Sequence, residues 1–268
     1  MHHAFTIVEL LIVVGMLILI GGVIVPMIGR ANVKSSRIRC LMNLKHLSMA
    51  WACYNGDNRG RIVTCYPFNP KGHVNSNAWV LGLSLPRNDL EYSGEVDSYV
   101  LDATNQNCIR RGKLFPYCQR FEAYRCPSDR RSEGGIPFVR SYSMNCWMNG
   151  MRYGDPTGPT VYRLFKKAGE ISNPSRAWVF IDEDEATIND ALFRVDMGGG
   201  SGLVDMPSRR HRNGYGIGFV DGHSEIYDLV EDYSISWQHD WGTPGQIIPD
   251  GHTNTDWLRL RNISTFAK

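Results

Sequence analysis

Residues 4–29, AFTIVELLIVVGMLILIGGVIVPMIG, are apolar almost end to end, and between Phe5 and Ile28 the only charge is Glu9. A run of ~24 residues at about 1.5 Å each extends ~36 Å as a helix, enough to cross the hydrocarbon core of a bilayer. A carboxylate at that depth costs roughly 2.5–3.5 kcal/mol even on the lenient insertion scales, so it needs a compensating partner. A cleaved secretory signal fits poorly. Its apolar region is shorter, and it wants a basic n-region, whereas here only Met1-His2-His3-Ala4 precede the run. An ordinary membrane anchor fits the length but leaves Glu9 unexplained.

The helical pattern continues beyond Pro26. Ile38, Leu41, Leu44, Leu47, Trp51 and Tyr54 recur at spacings of three and four, with Arg37, Asn43 and Lys45 off the stripe. The turn formers of NGDNRG (55–60) then stop the helix. One helix over 5–54 would be ~75 Å long and bent near Pro26. From residue 61 the chain changes character, to short strands between polar loops. AWVFID (177–182) and YGIGFVD (215–221) are the clearest strands, and SEIYDLV (224–230) is expected to pair with the second as a hairpin turning at Asp221-Gly222. No βαβ alternation, GxxxxGK[ST] or GxSxG occurs, and DMGGGSG (196–202) follows no strand that would make it a phosphate cradle. The expected class is α+β: a long N-terminal transmembrane helix packed on a mostly antiparallel sheet. With 29 Lys and Arg against 27 Asp and Glu, a formal charge of +2, nothing points to nucleic acid.

The seven cysteines (40, 53, 65, 108, 118, 126 and 146) contain no CxxC pair, which argues against a structural zinc site. Cys108, Cys118, Cys126 and Cys146 share one loop-rich stretch. They are the expected disulfide set if the domain is exported, with buried free thiols as the alternative. Oxygen donors from Asp182, Asp184, Asn189, Asp190 and Asp221 would suit Ca²⁺, the one cofactor considered. His211, Asp221 and His223 could approach one another across the hairpin. No nucleophile or oxyanion donor accompanies them, so the expected role of Asp221-Gly222 is the turn, and that of His211 a loop hydrogen bond.

The N-terminus resembles that of type IV prepilins and of the pseudopilins of type II secretion. In those proteins a short leader ends before a Phe, a Glu stands fifth from that Phe, and a proline kinks the helix near the end of its membrane portion. The resemblance implies cleavage between Ala4 and Phe5 by a prepilin peptidase, N-methylation of Phe5, an assembly role for Glu9 and a kink at Pro26. Two features depart from the pattern: Ala4 stands where glycine is usual, and the leader carries His2 and His3 in place of Lys or Arg. Further along, in HRNGYGIGFVDGH, His211 is followed by nine residues and then Asp221-Gly222. This resembles the His-x9-Asp-Gly motif of large pilin-like proteins of planctomycetes and related bacteria, whose internal blocks YRCPSD (124–129), SYSMN (141–145) and FIDEDEATIND (180–190) also match in order. The role of that family's C-terminal domain is not known.

The resemblance implies a leader over 1–4, a pilin-type helix over 5–55 with 5–28 in the membrane, and an extracytoplasmic globular domain over 56–268 with the motif at 211–222. The protein would be a non-enzymatic inner-membrane subunit. Its partners would be prepilin peptidase, the membrane assembly machinery and like subunits in a pilus or pseudopilus. Arg30, Lys34, Arg37, Arg39 and Lys45 follow the apolar run, and the positive-inside rule taken alone would put that side in the cytoplasm. A second expectation is an anchored module that never polymerises and binds glycans through Trp147, Trp237, Trp241 and Trp257.

Overall fold

The computed structural model describes residues 6–66, 75–82, 103–150, 161–197, 204–236 and 254–267, without the side chains at 21 and 23–32. Its first element is a helix, α1 (Ile7–Asp57, 51 residues), whose backbone stays helical through position 26. Two features of the sequence end it where expected. Asn58 caps it, its backbone N–H reaching the Tyr54 and Asn55 carbonyls, and Arg59 and Gly60 then take positive φ (56° and 75°). The two halves of α1 differ in what they touch. From Ile7 to Ile20 the apolar side chains are open to solvent, Leu19 at 73 %. Among the described residues, no helix is long and apolar enough to cross a membrane.

The C-terminal half of α1 is docked. Its buried positions are Cys40, Leu44, Leu47, Ser48, Ala50, Trp51 and Asn55, a stripe rotated slightly from the one expected, since Ile38 is 48 % exposed. Polar Cys40, Ser48 and Asn55 replace Ile38, Leu41 and Tyr54 at the centre of the contact, so a pattern drawn through apolar letters alone misplaces the face.

The helix lies on a five-stranded sheet built from β3 (Tyr142–Asn145), β4 (Trp178–Asp182), β5 (Leu192–Phe193), β6 (Gly214–Phe219) and β7 (Ser224–Asp228), in the order β5-β3-β4-β6-β7. A separate two-stranded ribbon, β1 (Ser132–Glu133) with β2 (Ile136–Pro137), precedes it. The neighbours in the sheet are antiparallel except β3 and β5, which run parallel. The class is therefore α+β with a mixed sheet. Both expected strands and the expected hairpin form. β6 and β7 pair from Gly214↔Asp228 to Gly218↔Ser224, and Gly222 at φ 91° makes the turn. β4 is buried at every position, as an apolar WVFID segment in the middle of a sheet should be.

The close approach of α1 to the sheet depends on β6. In GYGIGF the glycines recur every second residue, so Gly214, Gly216 and Gly218 share one face while Tyr215, Ile217 and Phe219 fill the other. A Cβ on Gly216 would stand 2.5 Å from Leu44 Cδ1 and 2.9 Å from Cys40 Sγ. One on Gly218 would stand 2.8 Å from Ser48 Oγ. The register sets Phe180 opposite both Gly218 and Met144, and Tyr142 opposite Asp182, so these side chains join the same face. The helix is clamped from another side by Asn43, whose amide donates to the Glu122 and Arg125 carbonyls, both at 2.9 Å.

At the far end of the chain, α2 (Thr255–Ser264) is capped by Asn254 and buries Trp257, Leu260 and Ile263. Its Asp256 carboxylate accepts from the Val230 and Glu231 N–H groups, tying the helix to the end of β7. Replacing Gly216 by valine should push α1 off β6 and destabilise the fold by roughly 1–3 kcal/mol, the usual cost of overpacking. Thermal denaturation against the wild type checks this, and Gly169→Val, where a Cβ meets nothing, is the control.

Candidate functional site: a buried thiol, imidazole and carboxylate cluster under the helix

The two ends of the His-x9-Asp-Gly motif lie at opposite ends of β6, so His211 and Asp221 do not form a dyad. Asp221 sits in the hairpin turn, where its Oδ1 accepts from the His223 backbone N–H (3.1 Å) and meets His223 Nδ1 at 2.5 Å. The His223 ring stacks on Phe219 at 4.1 Å between centroids. His211 stands at the other end, 1 % exposed, where Arg212 and Asn213 at positive φ turn the chain into the strand. The nine-residue spacing is thus that of the glycine-bearing strand with the turns at its two ends.

His211 meets three residues from three other parts of the chain. Its Nε2 lies 3.3 Å from Cys126 Sγ and 3.9 Å from Asp182 Oδ2. Cys40, on α1, completes the group, and one donor atom from each of the four lies within 4.8 Å of the others. All four residues are buried. The supports are specific. Ser208 Oγ donates to Asp182 Oδ2 at 2.8 Å, while Arg210 donates to Asp182 Oδ1 at 2.5 Å and to the Glu183 carbonyl at 2.8 Å. Tyr142 OH donates to Cys40 Sγ at 3.3 Å, and the Cys126 N–H donates to Ser141 Oγ at 2.6 Å. His211 Nδ1 has no hydrogen-bond partner.

The electrostatics follow from burial. The Cys126 thiol is held well above its ordinary pKa by its contact with Cys40 and then by burial. Burial also raises Asp182, against the pull of Arg210 and His211. Burial opposes charge on His211, but Cys126 and Asp182 outweigh it and raise its pKa. Arg210 is 5 % exposed at its side chain and answers the Asp182 charge directly.

The calcium set does not assemble. Asp182 is taken by Arg210 and Ser208, Asp184 pairs with Arg209 at 3.1 Å, and Asp190 accepts from the Leu192 N–H and lies 3.6 Å from Arg194. Asp221 is in the hairpin turn, where its Oδ1 is engaged by His223. Among the described residues the only His, Cys, Asp and Glu group fit to hold an ion is the Cys40 cluster. The expected disulfides are also not formed: all seven cysteines are free thiols. Cys126 faces His211, Cys146 offers its carbonyl to Cys65 Sγ at 3.9 Å, Cys108 packs with Ala78 and Leu81, and Cys118 is half-buried. Of the proposed glycan-binding tryptophans, Trp147 and Trp257 are core residues with no exposed surface, and Trp237 and Trp241 lie outside the described residues.

Ala4 and Phe5 also lie outside the described residues, as does the side chain of Pro26. Glu9 has a role within its own helix that a reading centred on the membrane passes over. Thr6 is the N-cap of α1, and Glu9 closes a capping box: Glu9 Oε2 accepts from the Thr6 N–H (2.9 Å) and hydroxyl (2.7 Å), and Thr6 Oγ1 accepts from the Glu9 N–H (3.3 Å). The signal was in the sequence, as T-I-V-E. Comparison with protein families, curated proteins and solved structures finds no match to this chain.

A second buried polar group lies beyond the cluster. The Asp205 carboxyl, which accepts from the Arg194 N–H at 2.6 Å, is pushed up to about 8 by burial and by the neighbouring Asp190 carboxylate. Between about pH 4 and 8 the unfolded chain therefore ionises Asp205 while the folded chain keeps it protonated, so its contribution to stability falls as pH rises. Asp205→Asn mimics the protonated form. Its stability relative to wild type should increase from pH 4 to pH 8 in urea denaturation, and a pH-independent difference would refute the assignment.

Proposed function

We propose that this chain is a prepilin-like structural subunit, non-enzymatic, held in the inner membrane by α1 and assembled with like subunits through it. The observation that carries the reading is the division of one helix into two environments. Cys40 to Asn55 are clamped to the sheet, whereas Ile7 to Ile20 present apolar side chains that nothing in the described chain covers. That exposed stretch rises about 20 Å, and the sequence remains apolar to Ile28. Lipid covers such a surface in an isolated subunit and neighbouring helices cover it in a filament.

The Glu9 capping box supports the same reading. It aims the carboxylate at the N-terminal end of its own helix, one residue from Phe5. Cleavage after Ala4 frees the Phe5 amine, a cation at neutral pH, and the Glu9 carboxylate of a neighbouring subunit is its counter-charge. The globular domain in this scheme is extracytoplasmic. Pilus and secretion pseudopilus are equally compatible with it.

Glu9→Gln separates assembly from helix capping, because glutamine also serves at this position of a capping box. The variant should insert in the membrane as the wild type does, yet fail to enter filaments, scored by cross-linking of subunits in cells. Normal incorporation of Glu9→Gln would leave an anchored protein that does not polymerise. Intact mass of the mature wild type should correspond to a chain beginning at N-methyl-Phe5, and a retained Met1 would remove the processing step on which the scheme depends.

A further inference from the structure

We infer that Cys40, Cys126, Asp182 and His211 bind one Zn²⁺, and that the ion fastens α1 to the sheet. This does not depend on the pilin-like reading. The four donor atoms, two sulfurs, an imidazole nitrogen and a carboxylate oxygen, all lie within 4.8 Å of one another. A tetrahedral zinc site with bonds of roughly 2.0–2.3 Å sets its donors about 3.3–3.8 Å apart. The Cys126–His211 and His211–Asp182 separations, 3.3 and 3.9 Å, lie near that range before any ion draws the group together.

The orientation of His211 distinguishes a metal site from a catalytic triad. In a triad the imidazole is held by the carboxylate at one nitrogen and faces the nucleophile with the other. Here Cys126 and Asp182 both face Nε2, and Nδ1 has no partner. Thiol, carboxylate and imidazole therefore converge on one point rather than forming a relay. Complete burial of all four residues leaves no open coordination position for substrate, the arrangement of a structural site.

Charge and surroundings also fit. Two thiolates, one carboxylate and neutral imidazole around Zn²⁺ carry a net charge of −1, and Arg210 on Asp182 Oδ1 supplies the opposite charge. Ser208 on Oδ2 and Tyr142 on Cys40 Sγ are the outer hydrogen bonds that orient metal ligands. Binding releases the two thiol protons to solvent. Cys126 also lines an open groove of ≈ 510 Å³ between α1 and the 120–127 segment, with Asn43 and His46 on the helix side, which brings solvent to the edge of the cluster. The ligands come from positions 40, 126, 182 and 211, so an ion here joins the helix to segments remote in sequence.

The test uses the full chain in detergent, with thiols protected by reductant during purification. Elemental analysis should give one zinc per chain. Co²⁺ in its place should give strong visible d–d bands and thiolate-to-cobalt absorption in the near ultraviolet. Cys126→Ser should lose about half of that charge-transfer absorption. Ser208→Ala, which removes only the support of Asp182, should weaken Zn²⁺ binding about 10–100-fold while preserving the cobalt spectrum. Circular dichroism on each preparation separates loss of metal from loss of fold. A folded wild type that takes up neither ion overturns the inference. So does a Cys40–Cys126 disulfide found by mass spectrometry in protein whose thiols were alkylated at lysis.

Discussion

The contact between the C-terminal half of α1 and the glycine face of β6 is the constraint on which the remaining architecture rests. A helix normally stands off a sheet by the thickness of two side-chain layers. Gly216 and Gly218 remove one of those layers, which lets Leu44 and Ser48 reach the strand backbone and brings Cys40 down to the level of the sheet's own side chains. Burial of Leu44, Leu47 and Trp51 follows from that approach, at about 1.5–3 kcal/mol each. The hairpin turn at Asp221-Gly222 and the reversal at Arg212-Asn213 mark the two ends of this seat.

The same approach explains why so much polarity is tolerated beneath the helix. Asp182 would be costly in an apolar interior, but Arg210, Ser208 and His211 surround it. Cys40 belongs to the group only because Gly216 lets the helix descend. If the four donors hold a cation, the ion and the glycine seat reinforce one another, since each fixes the same helix at the same height over the same strand.

The two halves of α1 then divide the work. The docked half gives the globular domain its core, and the exposed half offers an apolar surface that a globular domain has no use for. Glu9 belongs to both local and intermolecular accounts. As the third residue of a capping box it stabilises the start of the helix, where the dipole favours negative charge. In the proposed assembly the same carboxylate would receive a neighbour's terminal amine.

Much of this was legible along the chain because it depends on local periodicity. The helix with its stop at NGDNRG, the β4 and β6 strands, the hairpin turn and the unusual Glu9 are each written within a few consecutive residues. The sequence alone therefore determined the long helix, the β4, β6 and β7 strands with their approximate limits, and the division of α1 into an apolar and an amphipathic part, whereas β3, β5, the β1–β2 ribbon and the C-terminal helix carry no comparable local signal. Tertiary structure decided which face of the helix is buried, because a glycine seat can accept cysteine and serine where a hydropathy stripe predicts isoleucine and tyrosine. It also decided that the aspartates of 182–190 go to arginines rather than to one ion, and that Trp147 and Trp257 are core. The thiol, imidazole and carboxylate cluster could not be read from spacing at all. Its members are separated by tens of residues, and only the strand order and the height of the helix over β6 bring them within reach of one another.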